Sequence, residues 1–106
     1  MFSAEPEVAV NTITVQDLHS AADVPVVDVR EADEFAAGHV PGAVNLPLST
    51  LGSRLDELPD GSFAVICQVG VRSGRAVQAL SARGYAATNV DGGTSEWVAA
   101  GYPLES

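Results

Sequence analysis

One thiol and the loop that follows it carry the chemistry that can be read from this sequence. Cys67 is the single cysteine among 106 residues, and it stands where the apolar run Phe63-Ala64-Val65-Ile66 gives way to a short loop and then a helix. A thiol at the end of a buried strand, facing the first turn of a helix, meets backbone N–H groups and the positive end of the helix dipole. Both favour the thiolate. A free cysteine titrates near about 8.5, and such surroundings move it lower. Cys67 is therefore the candidate nucleophile. Gly70 permits a backbone turn that other residues resist, and a curled loop with glycine aims several N–H groups at one point, an anion-binding nest. Gln68, Val69 and Val71 are expected to act through backbone N–H groups rather than side chains. Arg72, five residues after the cysteine, is expected to tie the loop or to meet an anionic group of a substrate. Ser73 is expected to cap the next helix, with its hydroxyl in reach of whatever the sulfur carries.

The elements that must hold this loop alternate along the chain. Residues 1–11 read as a loosely held tail and 12–106 as one domain. Thr12-Ile13-Thr14-Val15 suits a short edge strand. Thr14 and Asp17 resemble a capping box with Asp in place of Glu, opening a short helix through Leu18 and Ala22. Val24 to Val29 is nearly all apolar, which fits a strand covered on both faces. Glu31 to Ala37 is helical, with acids in its first turn and Gly38 as its stop. His39 to Ala43 is a turn around Pro41-Gly42, and Val44-Asn45-Leu46 is a third strand. Ser49 is expected to cap a helix through Leu51, Leu55 and Leu58. After the Phe63–Ile66 strand comes a helix over 73–83, then a strand over 86–90. Asp91-Gly92-Gly93 reads as a flexible connector to a last helix over 94–100. This order predicts an α/β domain with a mainly parallel, five-stranded sheet and helices on both faces.

Composition narrows the function. Apolar residues make up 46% and aromatic ones 6%, so the core must rest on Val, Leu and Ala. Fourteen acids face five arginines, for a formal charge of −9, which argues against nucleic acid or an anionic membrane as partner. A single cysteine excludes an internal disulfide and a cysteine-based zinc site. No apolar run approaches the roughly 20 residues of a membrane span, and the first residues lack the basic-then-apolar order of a signal peptide. A reduced cytoplasm is the expected compartment.

Beyond the loop, three stretches resemble the rhodanese family of sulfurtransferases. Asp28-Val29-Arg30-Glu31, Glu34-Phe35 and Gly38-His39-Val40-Pro41-Gly42-Ala43-Val44-Asn45-Leu46-Pro47 follow the family's first signature. Cys67-Gln68-Val69-Gly70-Val71-Arg72-Ser73 follows its active loop. Asp91-Gly92-Gly93, Trp97 and Gly101-Tyr102-Pro103 follow its C-terminal end. The ordered set covers residues 12 to 104 and looks like the single-domain form. The resemblance implies a rhodanese-like three-layer fold in which Cys67 takes the outer sulfur of thiosulfate, a polysulfide or a persulfide. The resulting cysteine persulfide passes its sulfur to cyanide, a small thiol or a partner protein's thiol. It implies residues 68–73 as the substrate loop and no metal or organic cofactor. Neutral Gln68 and Val69 stand where thiosulfate-preferring members tend to carry a basic side chain. Phosphatases and arsenate reductases of related fold resemble a loop one residue longer between cysteine and arginine; the shorter loop here makes a cup suited to one sulfur atom. Among flanking residues, Arg30 is expected to pair with Glu34, His39 to hold the Pro41-Gly42 bend, Trp97 to lie in the core and His19 to be solvated.

Overall fold

The computed structural model describes residues 10–21 and 23–106. Most of the expected tail and Ala22 lie outside these. Among the described residues there are five strands: β1 (Thr12–Ile13), β2 (Val26–Asp28), β3 (Val44–Asn45), β4 (Phe63–Ile66) and β5 (Ala87–Val90). They form one sheet in the order β1-β5-β4-β2-β3, and every pairing is parallel. The helices are α1 (Val15–Ser20), α2 (Ala32–Ala37), α3 (Leu48–Leu51), α4 (Val71–Ala82) and α5 (Gly93–Ala99), with a 3₁₀ turn over Leu55–Glu57.

Strand periodicity divides the apolar residues into two cores. Successive side chains of a strand point to opposite faces. Phe63 and Val65 of β4 join Val27, Val29, Leu51, Val77 and Leu80 on one side, beneath α3 and α4. Ala64 and Ile66 join Val26, Val15, Leu18 and Trp97 on the other, beneath α1 and α5. All four residues of β4 are buried. The central strand is thus apolar on both faces, as its uninterrupted run requires, and it delivers Cys67 at its carboxyl end. Ligands bind beyond this end in parallel sheets of the class.

Several expectations change at element ends. β1 stops at Ile13, because Thr14 turns out of the strand to cap α1, its hydroxyl accepting from the Asp17 amide at 3.1 Å. Asn11 is no loose tail: its carbonyl accepts from the Asn89 amide at 2.8 Å, and Val10 packs on the core beneath α3 and α4. Ser49 does not cap. α3 starts two residues earlier, after Pro47, whose fixed φ suits a helix entry, and it lasts four residues before the chain re-forms as the 3₁₀ turn. The Ser49 hydroxyl instead donates to the Glu31 carboxylate.

Candidate active site

The loop from Cys67 to α4 is held from behind. The carbonyl of Cys67 accepts from the amide and the hydroxyl of Thr94, at 2.9 and 3.1 Å, and the carbonyl of Gln68 accepts from the Ser95 amide at 3.0 Å. Both donors lie in the first turn of α5, whose N–H groups have no partner within their own helix. With these carbonyls turned back, loop amides are free to face the other way. The Gly70 amide donates to Cys67 Sγ at 3.1 Å and the Ser73 hydroxyl lies 3.2 Å from it.

Gly93 makes this approach possible. Its φ is +58°, and a Cβ there would overlap the carbonyl oxygens of Cys67 and Gln68. Asp91-Gly92-Gly93 is therefore a packed joint, not the flexible connector expected: the second glycine opens α5 directly against the loop. Gly70 has φ +103° and is itself the N-cap of α4. This moves the helix start to Val71, two residues before the expected one. Ser73 consequently falls inside the first turn, fully buried, and caps nothing. Its hydroxyl serves the sulfur and Asn89 instead.

Asn89 on β5 escaped the sequence reading. Its Nδ2 donates to the Gly70 carbonyl at 3.2 Å, which leaves Oδ1 to accept from the Ser73 hydroxyl. A hydroxyl has one proton and here two acceptors. An anionic sulfur is the stronger acceptor and competes with Asn89 for that proton, whereas a neutral thiol competes weakly. The signal was an amide side chain in a strand otherwise made of Ala, Thr and Val.

Cys67 itself is 1% exposed and borders the core beneath α3 and α4. Burial pushes its thiol up and is the largest single influence. The Ser73 hydroxyl and the amides of Ser73, Gly70 and Val69 together outweigh it, so the thiol lies below its ordinary value. Val69 and Val71 point outward, 57% and 60% exposed, and give the loop an apolar outer surface.

The arginines near the loop are both committed to carboxylates. Arg72 forms a bidentate pair with Glu34 of α2 at 2.8 and 2.9 Å. That pair, foremost the hydrogen bond from Arg72, holds the Glu34 carboxyl down at about 2. Glu34 also closes a capping box, accepting from the Glu31 amide. Arg30 does not pair with Glu34 as expected. It is 3% exposed, its guanidinium grips Asp28 at 2.8 Å, and it also donates to the Gly38 carbonyl and to Gln68 Oε1. At the end of β2 a buried guanidinium needs acceptors; Asp28 supplies them, while the Glu34 carboxylate is taken by Arg72 and the Glu31 amide. Gln68 departs from expectation for the same reason. Its side chain is used, accepting from Arg30 and donating to Ser95 Oγ at 2.8 Å. His39 is buried, stacked on Phe35 and bonded to the Phe35 carbonyl through Nδ1. Trp97 is buried with its Nε1 donating to the Pro103 carbonyl, and His19 is exposed and stacked on Tyr102. Among the described residues no cluster of His, Cys, Asp and Glu could hold a metal, and no helix is long and apolar enough to cross a membrane.

The chain as a whole is similar to known proteins. A sequence profile for the rhodanese-like domain matches residues 13–100. A sulfurtransferase of Allochromatium vinosum is 35% identical over 91 residues, 84% of this chain and 85% of that protein. The crystal structure of a rhodanese-related protein from Thermoplasma volcanium superposes with a TM-score of 0.85 at 36% identity, covering 90% of this chain and 97% of that one. A human single-domain sulfurtransferase gives 0.76 at 31% identity, covering 86% and 97%. Among curated relatives the chain also matches longer proteins, spanning 46% and 59% of two of them, about half their length.

Proposed function

This chain belongs to the rhodanese-like domain family, and from that membership we propose that it is a sulfurtransferase working through a persulfide on Cys67. The Cys67 thiolate attacks the outer, sulfane sulfur of a donor. A Cys67 S–S bond forms, the donor's S–S bond breaks, and the electron pair of that bond leaves with the donor as sulfite or a thiolate. An acceptor thiolate or cyanide then attacks the terminal sulfur, and Cys67 is released as thiolate. Two-electron balance is kept within the exchange, so no external oxidant or reductant enters.

The observation that carries this reading is the convergence of the Gly70 amide and the Ser73 hydroxyl on a sulfur whose loop carbonyls are tied back to α5. Donors fixed before reaction stabilise an anionic sulfur without reorganising. A persulfide extends Cys67 by one sulfur atom, and Gln68, Val69, Gly70, Val71, Arg72 and Ser73 form the loop that would receive it. Arg72, spent on Glu34, braces the loop and is not free to clamp a phosphate or arsenate.

Intact-mass measurement after incubation with thiosulfate, or with an organic persulfide, tests this. The chain should gain one sulfur atom, lose it to cyanide, and gain none as Cys67→Ser. Absence of uptake from every donor class, or steady turnover of an aryl phosphate, would falsify the assignment.

A further inference from the structure

Charge is segregated along this chain. Between Asp60 and Asp91 there is no Asp or Glu, although 14 acids lie elsewhere, and the same stretch holds three of the five arginines. Arg30, Arg54 and Arg72 are each paired with a carboxylate. Among the described residues Arg75 and Arg83 pair with none, and both line one groove of about 220 Å³ between α4 and the α3 segment. Leu51, Leu55, Ala76 and Leu80 supply its apolar surface.

The helix itself accounts for only one of these cations. Arg83 follows the last turn of α4, where a positive charge suits the dipole, but Arg75 lies in the second turn, where it does not. No acid stands three or four residues from either one, so neither has a partner on its own helix. The two residues are eight apart, which is about 12 Å along a helix axis. The groove is smaller than the roughly 300–1,000 Å³ of a small-molecule site. It has room for a few side chains of a partner laid across it, with guanidiniums about two turns apart to receive carboxylates.

We propose that the groove between α3 and α4 docks an acidic amphipathic helix of a partner protein. Its apolar side chains at i and i+4 would insert between Leu55 and Leu80, and carboxylates about two turns apart would pair with Arg75 and Arg83. The seat begins one turn, about 6 Å of helix, after Val71 at the edge of the Cys67 loop. It does not depend on the sulfur chemistry, because the groups that hydrogen-bond Cys67 Sγ, Gly70 and Ser73, do not line it.

The probe is a labelled synthetic helix with leucines at i and i+4 and glutamates two turns apart, titrated against the full chain by fluorescence anisotropy. Saturable binding is expected, weakening with salt and falling about tenfold for Arg75→Glu with Arg83→Glu. A second peptide with lysines for glutamates should bind that double variant and not the parent. The variant's unchanged amide NMR spectrum guards against misfolding. Failure of the peptide to saturate, equal affinity for both charge patterns, or self-association of the chain that the double variant abolishes would each overturn the proposal. So would displacement of the peptide's role by laurate alone, which would make the groove a site for a small amphiphile.

Discussion

At the scale of single residues, the competition for one hydroxyl proton is the feature with measurable consequences. Ser73 lowers the thiol both through its hydroxyl and through its amide, against the upward push of burial. Ser73→Ala keeps the amide and removes the hydroxyl, so the Cys67 thiol should titrate higher and the pH at half-maximal sulfur uptake should move up with it. Asn89→Ala leaves the hydroxyl without its rival acceptor, so the same midpoint should move down. Thiolate absorbance reads both shifts without ambiguity, since there is one cysteine. Ser73→Ala should also destabilise the fold by about 1–3 kcal/mol, because Asn89 Oδ1 loses its partner. The sign of the pH linkage follows from the same groups. The folded thiol lies below the unfolded value near about 8.5, so between the two the unfolded chain binds more protons and stability rises with pH. The identity of the sulfur and of its loop was legible from the sequence, because residue types and order carry that. The role of Ser73 was not. Serine is a favoured cap and glycine a weaker one, but the positive φ of Gly70 let the helix begin first and turned Ser73 inward.

At the scale of elements, the loop is a joint between α4, α5 and α2, and each contact has its own test. Gly93 lets α5 press its first turn on the carbonyls of Cys67 and Gln68. Gly93→Ala meets backbone atoms, which cannot move aside as a side chain could, at a φ that alanine resists. A loss of about 3 kcal/mol or more is expected, visible as a lower denaturant midpoint, with sulfur uptake falling in the molecules that remain folded. The Arg72–Glu34 pair joins α4 to α2 across 38 residues of sequence. Its carboxyl is held near 2 against an ordinary 4.5, so what it contributes is present above about 4.5 and is lost as pH falls toward 2. About a third of each side chain is exposed, so solvent limits the contribution to within about 1 kcal/mol. Glu34→Gln should remove that part of the acid dependence, and Arg72→Ala with it should add nothing further. The strands were legible at this scale: β4 coincides with the apolar run that predicts it. Partners such as Glu34 for Arg72, or Asp28 for Arg30, were not, because they depend on which elements the sheet order brings side by side. Periodicity says nothing of that order.

At the scale of the whole molecule, the parallel sheet and its two covering layers follow from alternation of apolar runs with helical stretches, and β4, at the centre of the sheet, is buried along its whole length. The distribution of charge is a separate matter with its own consequence for a sulfur donor. The formal charge is −9, yet the segment carrying the loop has no acid of its own between Asp60 and Asp91 and presents Arg75 and Arg83 without carboxylate partners among the described residues. A dianion such as thiosulfate therefore meets repulsion from the summed charge and, at shorter range, attraction from Arg75 one turn beyond the loop; Arg83, about 18 Å along the helix from Val71, is too far to share it. Salt separates the two by range. At about 0.01 M the screening length is about 30 Å and the whole charge is felt; at 0.15 M it is about 8 Å and near groups dominate. The rate of sulfur uptake from thiosulfate should thus rise between these salt concentrations, while uptake from an uncharged organic trisulfide should stay level. A thiosulfate rate that falls over the same interval would mean that Arg75 governs approach even at low salt, and that the surrounding acids are electrostatically remote from the loop.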